Sequence, residues 1–178
     1  MGLEAGPIEP GELTETSSLR STLFPYRAHA KSASELGYYY EKIFTEQCAL
    51  SADDFPATIL RLPKVYGPGN NADLATMYQF QHQPQWRWTH GYVENVAHAI
   101  ALAALDPRAA GRIYDVGEEH TPTVVERLVT LPPSEIPPST VPANFAQNIV
   151  YDTAKIRREL GYREPVPYDE GIRRTLGK

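Results

Sequence analysis

Tyrosine and lysine recur at a four-residue spacing that could support proton exchange. Tyr38 and Lys42 form such a Y-x-x-x-K pair inside a segment with helical periodicity, so both side chains are expected on one helix face. Tyrosine ordinarily has a pKa of about 10, and a neighbouring ammonium lowers that pKa because it favours the phenolate. The pair therefore predicts a tyrosine that exchanges a proton with a substrate hydroxyl or keto oxygen.

Two other pairs compete with this one. Tyr151 and Lys155 have the same spacing, but capping residues stand between them, so Tyr151 should precede a helix that contains Lys155. Tyr26 and Lys31 are one residue farther apart, and their side chains should diverge. The remaining alternative is that Tyr38 and its neighbours only pack one face of a helix.

The elements that would position these residues alternate between helix and strand. In the first half of the chain, the periodicity predicts a helix over 31–52 and a buried strand over 57–62 that Pro63 ends. In the second half we expect a helix over 93–105, a strand between Gly111 and Gly117, and a proline-rich linker over 131–143. After the linker we expect a strand near 149–151 and a helix that runs from 152 or 153 to 160 and is closed by Gly161. A last helix should cover 168–176. This order favours an α/β fold.

Some side chains also carry expectations about packing. The helix over 93–105 should carry one apolar stripe, formed by Val93, Val96, Ala97, Ile100, Ala101 and Ala104. Its small side chains should permit close packing against a sheet, namely Ala97, Ala99, Ala101, Ala103 and Ala104. Cys48 lies within the predicted helix over 31–52, where a small apolar residue is expected to be buried. A single cysteine also fits a reducing, cytoplasmic location.

The segment 62–69, Leu-Pro-Lys-Val-Tyr-Gly-Pro-Gly, resembles a strand and loop of the NAD-dependent epimerase/dehydratase family, within the extended short-chain dehydrogenases/reductases. In that family this loop follows the catalytic helix, and the interval from Lys42 to Arg61 fits the arrangement. The resemblance implies that Tyr38 and Lys42 are catalytic, that Lys42, Pro63 and Val65 contact NAD or NADP, and that Tyr66 and Asn70 contact the substrate. The alternative for this segment is a tight surface turn.

Two further segments share the resemblance. Residues 86–97 are similar to a family segment in which an arginine and aromatic residues before a helix line the substrate site, which implies substrate contacts from Arg87 and Tyr92. Alternatively, the aromatic residues belong to the core and Arg87 extends along the surface. Residues 149–165 resemble the family's structural D-x-x-K-x-x-x-E-L-G-Y-x-P segment.

The resemblance covers only part of an enzyme of this family. Residues 67–72 formally read G-x-G-x-x-A, but a proline in the phosphate turn and the lack of a later ribose-binding acid argue against a dinucleotide site. No glycine-rich turn and no upstream catalytic Ser or Thr precede Tyr38 in the family's register. We therefore expect an incomplete Rossmann-like fold that lacks the N-terminal dinucleotide-binding half, in one domain over 1–178: a loop (1–25), the catalytic helix, strand and loop (26–70), and the substrate side (71–178).

Composition narrows the class of partner. The formal net charge is −5, which argues against nucleic acid, and no apolar run is long enough for a membrane span. His90 and His98 lack metal-ligand spacing, so no metal is expected. We expect a small-molecule substrate and either a homodimer or a complementing chain.

The predicted function is that of an NAD(P)-dependent epimerase, dehydratase or reductase acting on a nucleotide sugar or a related hydroxy or keto compound, without autonomous catalysis. The alternatives are a non-catalytic remnant that binds a partner or small ligand, and a truncated gene product.

Overall fold

The computed structural model describes residues 11–17, 44–52, 54–69, 77–137, 145 and 147–177. Within these ranges, short parallel strands pair two by two. Strand β1 (Ile59–Arg61) pairs with β4 (Ile113–Asp115), and β2 (Lys64–Tyr66) pairs with β3 (His90–Tyr92). The helices are α1 (Val93–Leu105), α2 (Val124–Leu128), α3 (Ala154–Leu160) and α4 (Tyr168–Thr175), and residues 44–50 are also helical. A 3-10 turn covers Pro107–Ala109.

The chain changes its strand partner at Pro63. A proline has no N–H to donate, so the β1 ladder ends before it. At the next residue the N–H of Lys64 donates to the carbonyl of Thr89 at 3.1 Å, which starts the pairing of β2 with β3. The predicted strand over 57–62 is therefore confirmed in place but is shorter. Its residues are half-buried rather than buried, because the described part of the chain supplies β1 with a partner strand on one side.

Replacing Gly117 with alanine is expected to lower the free energy of unfolding by about 1–3 kcal/mol, the usual cost of overpacking a core. The added Cβ would overlap the Cγ2 methyl of Thr89, a fully buried residue whose hydroxyl accepts the N–H of Tyr151 at 2.9 Å. The double variant Gly117→Ala/Thr89→Ser removes the methyl and keeps the hydroxyl, so it should recover part of the loss in urea denaturation. If the losses of stability of the two single variants simply added in the double variant, the overlap would be contradicted.

Helix α1 has the predicted bounds, but only Val96 of the predicted stripe and only Ala99 and Ala103 of the predicted packing alanines are buried. The buried residues are Asn95, Val96, Ala99 and Ala103, whereas Val93, Ala97, Ile100, Ala101 and Ala104 are exposed. Asn95 can be buried because its side-chain amide donates to the carbonyl of Val166 at 2.8 Å and accepts the N–H of Val166 at 2.9 Å. Because alanines lie on both faces of this helix, the sequence pattern does not indicate which face is buried.

Helix α2 was not predicted. Thr123 and Glu126 form a capping box at its start: the Glu126 carboxylate accepts the Thr123 N–H at 2.8 Å, and the Thr123 hydroxyl accepts the Glu126 N–H at 3.3 Å. The T-x-x-E spacing at 123–126 is the signal that could have revealed it.

The last two helices confirm their predictions. Helix α3 ends at Gly161, whose φ of 70° suits a glycine, and α4 begins at Tyr168 as expected. Two other expectations are wrong. Cys48 is exposed, and Ile149–Tyr151 form isolated bridges to Trp88 and Leu13 instead of a strand.

The core beneath these elements is rich in aromatic rings. Phe80 packs edge-on against Trp86 and Trp88, with ring centroids 5.0 and 5.6 Å apart, and the Trp86 indole donates to the carbonyl of Gln147 at 2.8 Å. Trp86 and Trp88 of segment 86–97 are thus core residues. Over the described ranges, every helix is too short or too polar to cross a bilayer, and His, Cys, Asp and Glu side chains form no group of three suited to a metal ion.

Candidate functional site

A cleft of about 600 Å³ opens where β2 and β3 end and α1 and α4 begin. The carboxyl ends of parallel strands are the usual location of ligand sites in α/β folds. Its described lining includes four tyrosines and four glutamates, namely Tyr66, Tyr92, Tyr162, Tyr168, Glu118, Glu119, Glu126 and Glu164, together with Asn95, His120, Thr130 and a rim of Pro and Val residues. A mostly apolar cleft with a few polar groups is suited to a small organic ligand.

Tyr66 lies at the centre of the aromatic wall. Its ring centroid is 5.6 Å from that of Tyr92 and 6.4 Å from that of Tyr168. Tyr66 is 2% exposed, and burial raises the pKa of its phenol, so the hydroxyl stays protonated. Among the described residues no hydrogen-bond partner is found for this hydroxyl, which leaves it available to a ligand in the cleft.

A buried ion pair supports one side of the cleft. Arg127, 3% exposed, binds both carboxylate oxygens of Glu118 and also donates to the carbonyl of Trp88 at 3.3 Å. The same carboxylate accepts the N–H of His90 at 3.0 Å. Burial raises the pKa of Glu118, and Arg127 acts in the opposite direction. The Arg127 guanidinium also lies 5.6 Å from the ring centre of Tyr168, so it helps to hold the aromatic wall.

A second buried arginine supports the other side. Arg157 on α3 binds both oxygens of Glu164, at 2.7 and 2.8 Å, and donates to the carbonyl of Gly117 at 3.1 Å. Its guanidinium lies 5.0 Å from the ring centre of Tyr162. Burial raises the pKa of Glu164, but the hydrogen bonds from Arg157 outweigh that effect and leave it below its usual value. Both arginines therefore serve to fix carboxylates, with their own charges directed into the protein.

The predicted substrate residues are divided by the structure. Tyr66 and Tyr92 lie in the cleft wall, and the Tyr92 hydroxyl donates to Glu94 at 3.1 Å. Arg87 lies outside the cleft lining, with its backbone N–H bound to Asn148 at 3.0 Å. Asn70 falls outside the described residues.

The predicted catalytic pair, Tyr38 and Lys42, also falls outside the described residues. The competing pair is described and does not share a helix face. Tyr151 precedes α3, whereas Lys155, in its first turn, donates to the carbonyl of Ile113 at 2.7 Å and lies 5.2 Å from the ring centre of Tyr114. Lys155 thus has a structural role.

Two of the predicted cofactor contacts lie at β2. Pro63 immediately precedes this strand, and Val65 is its middle residue. Pro63 is buried, and its ring packs where Gly91 has no side chain. Because Lys64 directs its N–H toward β3, the alternation of a parallel strand directs the N–H and carbonyl of Val65 to the opposite edge. A donor and an acceptor side by side fit a carboxamide such as that of nicotinamide.

Sequence reasoning missed Glu118 and Arg127. Glu118 comes two residues after the buried Val116, close behind β4, and carboxylates at strand ends are a recognisable signal. The sequence around Arg127 carries no such signal, because the contacts of Arg127 with Glu118 and with the carbonyl of Trp88 form only in the folded chain.

A separate cluster of charges lies at the ends of β1 and β4. Arg61 binds Glu46 through two hydrogen bonds, at 2.7 and 3.3 Å, and donates to the carbonyls of Thr14 and Glu15. Asp115, paired with Arg61 in register, is 1% exposed, and its Oδ2 atom has no hydrogen-bond partner. Burial raises the pKa of Asp115 to about 7, although Arg61 acts against that rise.

Several solved structures that are similar to this chain are enzymes that act on nucleotide sugars. The UDP-glucose 4-epimerase of Thermus thermophilus, in complex with NAD, is 22% identical, with a TM-score of 0.59, over 98% of this chain and 60% of that chain. The UDP-glucuronic acid 4-epimerase of Bacillus cereus, with UDP-glucuronic acid and NAD, is 18% identical, with a TM-score of 0.63, over 98% of this chain and 58% of that chain. The dTDP-glucose 4,6-dehydratase of Streptomyces venezuelae is 22% identical, with a TM-score of 0.60, over 99% and 56%.

These likenesses establish the fold. The chain has the parallel α/β architecture of the NAD-dependent epimerases and dehydratases, as its sequence predicted, and it spans less than two thirds of each of these structures. No protein-family model and no curated protein matches the sequence.

Proposed function

We propose that the chain provides the substrate side of an NAD(P)-dependent epimerase, dehydratase or reductase that acts on a nucleotide sugar or a related hydroxy or keto compound. The observation that carries the proposal is the cleft at the ends of β2 and β3, where the Tyr66 hydroxyl lacks a partner among the described residues. The fold shared with epimerases and dehydratases supports the same reaction class.

In this proposal NAD or NADP, when bound, supplies hydride exchange at the substrate carbon. The backbone of Val65 would hold the nicotinamide carboxamide, because its N–H and carbonyl point away from β3. Lys42 would hold the ribose, and Tyr38 would give or take the proton at the substrate oxygen. Tyr66 would bind a substrate hydroxyl inside the cleft.

We further propose that the pyrophosphate-binding half of the site lies outside these 178 residues, either on a complementing chain or on a further stretch of the same gene. In this sequence the only glycine pattern of the required form, at 67–72, has a proline in the phosphate turn, and such a turn must present backbone N–H groups to the pyrophosphate. A non-catalytic protein that binds a small ligand through the same cleft is the second candidate, since the cleft alone would suffice for it.

Titration of this chain alone with NAD⁺ and NADH should show no saturable binding up to about 1 mM, which corresponds to a binding free energy weaker than about −4 kcal/mol. The reason is the missing pyrophosphate site, because the Val65 backbone contacts only one end of the cofactor. Isothermal calorimetry measures the binding directly. Micromolar binding to the chain alone would contradict the need for a complementing half and would favour an autonomous enzyme. A Lys42→Ala variant that abolished such binding, beside a Lys155→Ala control that kept it, would then identify the catalytic lysine.

A further inference from the structure

The charges that face the cleft are opposite to those of a phosphate site. Four glutamates and one histidine, His120, line it, and its described lining contains no lysine or arginine. Arg127 and Arg157 are close, but their guanidinium groups are buried behind Glu118 and Glu164 and bind those carboxylates. A bound diphosphate would therefore meet carboxylates before it met a cation, and it would be repelled.

One carboxylate at the rim is free to bind a ligand. Glu119 has a side chain that is 75% exposed, and its nearest cation is Arg157, at 3.8 Å. That arginine is already bound to Glu164 at 2.7 Å. Glu126, by contrast, is occupied at the start of α2 by the N–H and hydroxyl of Thr123, both at 2.8 Å. The cleft thus keeps an excess of negative charge, and Glu119 is its most accessible part.

The interior of the cleft offers an aromatic wall and one unused hydroxyl. The faces of tyrosine rings pack well against the apolar faces of a sugar ring, and they attract a nearby cation. The Tyr66 hydroxyl is a donor and acceptor without a partner among the described residues, on a residue that is 2% exposed. A ligand hydroxyl is the natural partner for such a group.

We propose that this cleft binds a sugar or similar polyol that carries a protonated amino group. The Tyr66 hydroxyl bonds a ring hydroxyl, the tyrosine rings pack against the sugar, and Glu119 pairs with the ammonium. The inference rests on the proposed function in that it assigns the substrate's sugar moiety to the same cleft, with any phosphate groups outside it.

The test is an NMR titration of the full chain with glucose and with two derivatives that each differ from it at one carbon, glucosamine at C2 and glucuronate at C6. At about pH 6 the amine is protonated. We expect glucosamine to bind about fivefold more tightly than glucose, as one exposed ion pair allows, and glucuronate to bind most weakly. Glu119→Gln should bring glucosamine to the affinity of glucose. Glu135→Gln, which removes the same charge from an exposed residue outside the cleft, should change neither.

Tyr66→Phe provides a second readout, because it should weaken all three sugars by a similar factor of about three to ten through the lost hydrogen bond. Equal affinity for the three sugars would overturn the amine preference and leave the cleft as a substrate site. Binding of none of them, or binding that Tyr66→Phe does not affect, would overturn the inference and also remove the cleft from the proposed function. Neither result would change the outcome of the NAD titration, which tests cofactor binding separately.

Discussion

The Arg127→Met variant is expected to lower the free energy of unfolding by about 3–5 kcal/mol, the usual cost of breaking a buried ion pair from one side. Arg127 is 3% exposed, and it binds Glu118 and the carbonyl of Trp88. Methionine keeps much of the volume but leaves a buried carboxylate without its cation. Urea denaturation followed by circular dichroism measures the loss. The loss should be smaller at low pH, because Glu118 can then take up a proton.

Two variants separate the ion pair from simple packing. Arg158→Met removes the same type of charge at a side chain that is 67% exposed, and it should change stability by less than about 1 kcal/mol. The double variant Arg127→Met/Glu118→Gln removes both charges and should be more stable than Arg127→Met alone. If the single variant cost no more than the exposed control, the ion pair would not be a main support of the cleft.

Stability should fall as the pH rises from about 4 to about 7, and Asp115 should account for much of that fall. The pKa of this buried carboxyl is raised to about 7, above the value of about 4 expected in the unfolded chain. Between these values the folded protein holds one more proton than the unfolded chain, so the free energy of unfolding decreases with pH. Asp115→Asn mimics the protonated form at every pH. At pH values above 7 it should be more stable than the wild type by about 2–4 kcal/mol.

The comparison requires denaturation curves on both sides of the window. Below about pH 4 the variant and the wild type should have similar stability, because Asp115 is then neutral in both states. Asp54→Asn, which changes an exposed carboxylate, should leave the pH dependence as it was. If the free energy of unfolding of the wild type instead rose between pH 4 and 7, the prediction would be wrong. Asp115 would then be ionised in the folded protein, beside Arg61.

Local signals in the sequence were enough to predict much of this fold. Helix α1 has the expected bounds because Asp106 and Pro107 mark its end by chemistry that acts over a few residues. Helix α3 stops at Gly161 for the same kind of reason, since its left-handed backbone favours glycine. These boundaries need no knowledge of the rest of the protein.

The orientation of α1 and the support of the cleft depend on contacts far along the chain. Asn95 faces inward because it meets the backbone of Val166, 71 residues away, and no pattern within the helix indicates that contact. Glu118 and Arg127 are close in sequence, but their burial depends on β3 and on Trp88. The cleft residues Tyr66 and Tyr92 were accessible to sequence reasoning through segment resemblance, whereas the glutamates around them were not.

The amide of Asn95 also bears on how a ligand would be received. It donates to the carbonyl of Val166 and accepts the N–H of the same residue, as the backbone of a neighbouring strand would. These two hydrogen bonds join the start of α1 to the segment that leads into Tyr168. The two walls of the cleft are thereby tied together before any ligand arrives. A ligand then loses its own freedom on binding but need not pay to immobilise the walls, so more of its contact energy is retained as affinity.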